Sequence, residues 1–197
     1  MEMQNKSTWL KDVAQTIAFI ATVVVSVFFI NAFVFQSFDV QGKSMQDTLQ
    51  NGDRLIVDRT AASLSSLRNE QYVPERGKII VFKNPLAGVY STEQYLVKRV
   101  IAFASERVVL RDGKYTVYNA EYPQGFNPDS RPHDKPRSPT SGSVDVIVSE
   151  GTLFVSGDHR DGGNSFDSRN GLGFVPLHDV VGPVVGRLFP FQDARTF

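Results

Sequence analysis

From Val13 to Phe38 the chain carries no charged residue, and the centre of that run, Ile17 to Phe35, is mostly apolar. As a helix these 26 residues span roughly 39 Å, more than the roughly 30 Å hydrocarbon core of a bilayer. Gln15, Thr22, Ser26 and Asn31 interrupt the run, but amides and hydroxyls cost far less in lipid than charges do. A buried core helix and a removable signal peptide are the alternatives. A signal peptide has an apolar region of about 7–15 residues followed by a small-x-small site. Here the run is longer and closes on Val34-Phe35-Gln36-Ser37-Phe38, which offers no such site. The reading is an uncleaved transmembrane anchor over 13–38, with a short tail at 1–12 and a domain at 39–197. Lys6 and Lys11 precede the run while Lys43 and Arg54 follow it, so charge alone leaves its orientation open.

The rest of the composition excludes more than it selects. Basic and acidic residues balance at 21 each, so no basic field invites nucleic acid. The absence of cysteine rules out disulfides, thiol catalysis and thiolate metal sites. His133, His159 and His178 show no metal-ligand spacing, so no zinc site is expected. No state of assembly follows from the sequence.

After the anchor, short β-branched runs alternate with turn residues. Strands are expected at Arg54–Val57, Lys78–Phe82, Tyr95–Phe103, Thr152–Ser156 and Val180–Leu188. Val108–Leu110 and Tyr115–Tyr118 flank Asp112-Gly113, a strong hairpin signal. The polar stretch between Ala61 and Pro74 reads as a loop or a short helix. Tyr122 to Ser143 holds five of the ten prolines and reads as an irregular excursion. Several short strands without alternating helices point to a mainly β domain.

Two places look unlike ordinary strand and turn. Val40-Gln41-Gly42-Lys43-Ser44-Met45 lies just beyond the anchor. A serine there can be a mere turn residue, yet the glycine would let a substrate carbonyl approach backbone N–H groups closely. In Tyr95-Leu96-Val97-Lys98-Arg99-Val100-Ile101, strand alternation puts Lys98 on one face with Leu96 and Val100. Lysine acts as a base only when neutral, and burial lowers its ordinary pKa of about 10.4 by up to roughly 3–5 units. A desolvated Lys98 can take the proton of Ser44, whereas a snorkelling Lys98 cannot; the local pattern leaves the two even. A third cluster, Gly157-Asp158-His159-Arg160-Asp161-Gly162-Gly163-Asn164-Ser165-Phe166-Asp167-Ser168-Arg169, is a surface loop or a support for such a site. Its order does not match an EF-hand.

Taken together and in order, these segments resemble the boxes of the type I signal peptidases. Gly42 to Leu49 is similar to the motif G-x-S-M-x-P-T-L, followed by Gly52-Asp53-Arg54-Leu55-Ile56-Val57 and Arg76-Gly77-Lys78-Ile79-Ile80-Val81-Phe82. Tyr95–Ile101 resembles the lysine strand, and Gly157-Asp158 with Asn164–Arg169 the last box. The resemblance implies a membrane-bound serine endopeptidase in the cell membrane, its β-sheet domain on the extracytoplasmic side. A smaller β lobe, roughly 104–152, would be inserted into that domain, and the resemblance implies no metal or cofactor. It implies secretory preproteins as substrates, cut after a small-x-small motif, and the lipid bilayer as a further partner. Ser44 would attack, its own N–H helping to hold the oxyanion, with Lys98 as base and then acid. Ser165 would hydrogen-bond Lys98, Asp167 and Arg169 would buttress the site, and Gly42, Met45, Arg99 and Asp158 would support it.

The chain also departs from that pattern. Asp47 replaces proline, which would lock φ near −65° in a turn, and a carboxylate pointing at Lys98 would weaken it as a base. Ala104-Ser105-Glu106 replaces Pro-Gly-Asp, His159 replaces Asn, and the last box is two residues longer near Gly162-Gly163. Other readings are a degenerate, membrane-tethered binder of exported chains, and a Ser44–His159 pair completed by an aspartate. The SOS-repressor autoproteases share Ser-Lys chemistry, but they are soluble and often carry a DNA-binding domain; neither feature is visible here.

Overall fold

The computed structural model describes residues 2–89, 92–130, 136 and 138–197, so that His133 and Pro132 lie outside the described residues. Helix α1 (Glu2–Phe29) leads through a π-helical turn, Ile30–Val34, directly into strand β1 (Phe35–Asp39). From Trp9 to Phe29 the helix buries nothing against the rest of the chain. An apolar surface left open on every side excludes the buried-core alternative and suits lipid.

The helix and the uncharged run do not coincide. The expected span of 13–38 is overshot at its start, and Phe35 to Phe38 belong to β1 instead. Pairing decides the end: β1 lies antiparallel to β2 (Arg54–Asp58), with Phe38 opposite Leu55 and packed on the Tyr95 ring, centroids 5.2 Å apart. The junction is braced from the side by α2 (Thr60–Leu67) and the residue before it. The N–H of Arg59 donates to the Val34 carbonyl at 2.8 Å, and the Ser63 hydroxyl to that of Phe33 at 3.2 Å.

The remaining strands are β3 (Ile79–Lys83), β4 (Tyr95–Phe103), β5 (Arg107–Arg111), β6 (Lys114–Tyr118), β7 (Val144–Ile147), β8 (Thr152–Ser156), β9 (Val175–Pro176), β10 (Val180–Phe189) and β11 (Arg195–Thr196). The large antiparallel sheet runs β1-β2-β10-β3-β4-β8-β9, with β11 beside β10; β6-β5-β7 form a second, smaller sheet. Asp112 and Gly113 close the β5–β6 hairpin with φ of 51° and 75°, the left-handed pair that matches strand twist in a two-residue turn. Three buried clusters hold the domain together. One lies under β3, β4 and β8 (Ile80, Phe82, Val100, Val155) and one under β1 and β2 (Leu55, Val57, Val81, Val184). The third fills the space between the small sheet and β8 (Val108, Leu110, Tyr115, Phe154).

Candidate active site

The chain from Val40 to Asp53 is a loop pinned by its apolar residues. Met45 and Leu49 are buried in the cluster under β1 and β2, while Ser44 between them and the surface is left half-buried. Gly42 takes φ 89°, a conformation open to glycine at no cost, and its N–H is bound by the Asn51 side chain at 2.9 Å. The Lys43 carbonyl accepts the Gln46 N–H at 2.9 Å, and the turn beyond is closed by Leu49 N–H on the Met45 carbonyl at 2.8 Å.

Lys98 reaches this loop from the middle of β4, opposite Ile80 of β3. Its amine lies 2.8 Å from Ser44 Oγ and 2.9 Å from the Val97 carbonyl. The side chain is only 2% exposed, and Leu96 and Val100 on either side are buried with it. Burial lowers the amine from 10.5 to about 8, against the opposing pull of Asp167, Glu93 and Asp158. At that value about a tenth of the lysine is neutral at pH 7, against about one part in three thousand without the shift. A neutral amine has two N–H groups and one lone pair; with an N–H on Val97, the lone pair is available to the serine hydroxyl.

The last loop locks this pair in place. Arg99 forks onto Asp158 at 2.8 and 2.6 Å and donates to the Gly77 carbonyl at 2.7 Å. Asp158 in turn accepts the Thr48 hydroxyl at 2.6 Å, tying β4 to the serine loop. Asp167, fully buried, accepts the Gly157 N–H at 2.9 Å and the Arg169 guanidinium at 2.9–3.2 Å. Arg169 also donates to the Arg160 carbonyl at 2.9 Å. Gly157 passes so close to Ser165 and to the Ser44 carbonyl that a Cβ would overlap both. A cavity of about 400 Å³ opens beside Ser44, between the 38–44 segment and the start of β4.

One expectation is corrected, and two open alternatives are decided. Ser165 does not bond Lys98: the amine meets Ser44 and Val97, and the buried Ser165 hydroxyl has no hydrogen-bond partner among the described residues. Asp47 does not form a proline-like turn, because its φ is 85°, which a proline ring cannot reach. His159 does not pair with the Ser44 hydroxyl; its ring faces the Lys43 carbonyl at 3.1 Å and Asp161 at 2.7 Å. At the other departure, Ser105 takes the left-handed φ of 65° suited to the glycine it replaces. Glu106 there bonds Arg76 and Asn119 at 2.7 Å. Thr48 stood in the matched motif without its partner Asp158 showing, and the roles of Glu93 and the Val97 carbonyl had no signal in the sequence, since each depends on what lies opposite in space.

The sequence model of the family described as signal peptidase, peptidase S26, matches residues 13–189. The chain is 30% identical to signal peptidase I P of Bacillus subtilis subsp. natto over 176 residues, 87% of this chain and 86% of that one. It is 29% identical to signal peptidase I of Bacillus licheniformis over 195 residues, 98% and 97% of the two chains. A crystal structure of a signal peptidase I from Enterococcus faecalis V583 aligns at a TM-score of 0.42 with 25% identity, covering 58% of this chain and 98% of that one. The matched stretch takes in the apolar helix, the serine loop, the lysine strand and the last loop, and the chain belongs to the signal peptidase family, peptidase S26.

Proposed function

We propose that this signal peptidase, a serine endopeptidase, cuts preproteins with Ser44 as nucleophile and Lys98 as general base. The observation that carries the reading is the buried Lys98 amine 2.8 Å from the Ser44 hydroxyl, at the edge of an open cavity. Lys98, neutral, takes the hydroxyl proton as Ser44 Oγ attacks the scissile carbonyl carbon. The resulting ammonium gives that proton to the leaving amine, and the carbon–nitrogen bond breaks to leave an ester on Ser44. A water then attacks the ester with Lys98 again as base, and the proton returns to Ser44 Oγ. The peptide lies extended between the 38–44 segment and the start of β4, with small residues at the first and third positions before the cut. Trp9–Phe29 crosses the bilayer and the sheet domain stands on the extracytoplasmic side, where secretory preproteins emerge.

The test is cleavage of a preprotein by the full chain in detergent. Ser44→Ala and Lys98→Ala should each abolish cutting while the far-ultraviolet circular dichroism is unchanged, because the two act as one proton-transfer unit. Normal turnover by either removes the reading. A bulky residue just before the cut should suppress cleavage strongly, and equal cutting of both substrates removes the small-residue preference. Protease added to intact spheroplasts should reach the domain; protection until the membrane is opened reverses the topology.

A further inference from the structure

The Ser-Lys chemistry leaves unused a contact between the last loop and the serine loop. His159 meets two consecutive carbonyls there: its backbone N–H donates to that of Ser44 at 3.0 Å, and its ring Nδ1 lies 3.1 Å from that of Lys43. The second ring nitrogen lies 2.7 Å from Asp161 Oδ1, with the Asn164 amide at 3.5 Å. Each ring nitrogen thus has an oxygen within hydrogen-bond distance, the Lys43 carbonyl on one side and the Asp161 carboxylate on the other, which fixes the ring between the two loops. Asp161 reaches back because Gly162 and Gly163 follow it at φ 59° and 68°, in the stretch where this chain is two residues longer than the motif it resembles.

The Lys43 carbonyl and the Ser44 N–H belong to one planar peptide unit and point in opposite directions. Whatever fixes the carbonyl also aims the N–H. We propose that His159, braced by Asp161, is a positioning residue that aims the Ser44 N–H at the oxyanion by holding the carbonyl on the far edge of the same peptide plane. This rests on the reading of Ser44 as nucleophile. The lengthened loop and the histidine are then one device: the two glycines turn the chain so that the Asp161 carboxylate reaches the ring. A donor that serves the developing oxyanion acts on the transition state and not on substrate binding.

The experiment measures kcat, KM, the pH profile and the thermal midpoint for the full chain in detergent on one preprotein, with Ser44→Ala as control. His159→Ala should lower kcat about tenfold, leave KM and the rising pH limb unchanged, and weaken a peptide aldehyde inhibitor, whose adduct carries an oxyanion, by the same factor. His159→Gln, which keeps an amide donor, should recover most of the loss. Asp161→Ala should lower kcat in the same direction and add nothing to His159→Ala. Asp161 is more than half exposed, so this variant carries the test even if His159→Ala does not fold. A kcat within twofold of the parent overturns the proposal. So does a loss carried by KM, a shifted pH limb, or additive effects of the two substitutions. Loss as complete as that of Ser44→Ala would make His159 a catalytic base and overturns it too. If Ser44→Ala still cuts, the nucleophile reading itself has failed; if it is inactive while His159→Ala is normal, only this inference has.

Discussion

Lys98→Met should make the enzyme inactive and more stable. A lysine whose amine falls from 10.5 to about 8 on burial is penalised as a cation in the folded state, by about 3 kcal/mol for the drop of about 2.5 units. Methionine matches the stem in length and has no charge to desolvate. Against this, the Val97 carbonyl loses its donor, a cost of about 1 kcal/mol, so the net gain at pH 7 is about 2 kcal/mol. The sign follows from proton binding: between about 8 and 10.5 the unfolded state holds the proton that the folded state has released, so parental stability rises with pH across that window. The advantage of Lys98→Met is therefore full below about 8, shrinks through the window and gives way above 10.5 to a deficit of about 1 kcal/mol from the unpaired Val97 carbonyl. Thermal unfolding in detergent, followed by circular dichroism at pH 7, 9 and 10.5, reads this as a rise of about 4–8 °C at pH 7. A variant less stable than the parent at pH 7, or an advantage indifferent to pH, refutes the account of Lys98 as a lysine held against its charge.

The serine loop and its surroundings yield further expectations. Asp47→Pro should disorder the loop and cost at least tenfold in kcat/KM, because φ at that position is 85°, whereas Asp47→Gly should retain activity; equal rates for both would show that the turn is not left-handed. Gly157→Ala should inactivate the enzyme by driving Ser165 and the Ser44 carbonyl apart, seen as lost cleavage with a lowered thermal midpoint. Cleavage should rise with pH through about 8 as Lys98 loses its proton. Glu93→Gln removes one of the anions that hold that proton, so the limb should move to lower pH and the rate at pH 7 should increase; a limb that moves upward contradicts the electrostatics.

How much of this was legible in the sequence differs between strand and loop. Tyr95–Phe103 and Thr152–Ser156 were readable to the residue, since β-branched runs between turn residues are a local signal. The Asp112-Gly113 hairpin was equally plain. β1 was hidden because aromatic residues at the end of an apolar helix and aromatic residues on an edge strand carry the same hydropathy; only pairing with β2 separates them. β7, Val144–Ile147, was missed because its alternation is short and contains Asp145. In the site, Ser44 and Lys98 stood out through their neighbours, but their distance apart did not. The Asp129–Arg160 pair at 2.8 and 2.9 Å, which ties the proline-rich excursion to the last loop, spans 31 residues and left no local trace. The left-handed Asp47 was also beyond reach, because aspartate tolerates both signs of φ.

The passage from α1 to β1 with a single π-helical turn between them has a consequence of reach. No flexible tether intervenes, and α2 bolts the junction from the side. β1 rises roughly 17 Å over five residues, and Ser44 follows five residues after Asp39, where β1 ends. Ser44 is thus carried at a set distance from the end of the helix, like a blade on a fixed post. On the proposed function, a substrate whose apolar segment sits in the same bilayer presents its cleavage point at a height set by its own length. Chains that emerge too short or too long should then be passed over by geometry before any side chain is read. Lengthening β1 by two residues, which keeps the inward and outward faces in register, should shift the preferred spacing between apolar segment and cut without altering the residues chosen at the cut.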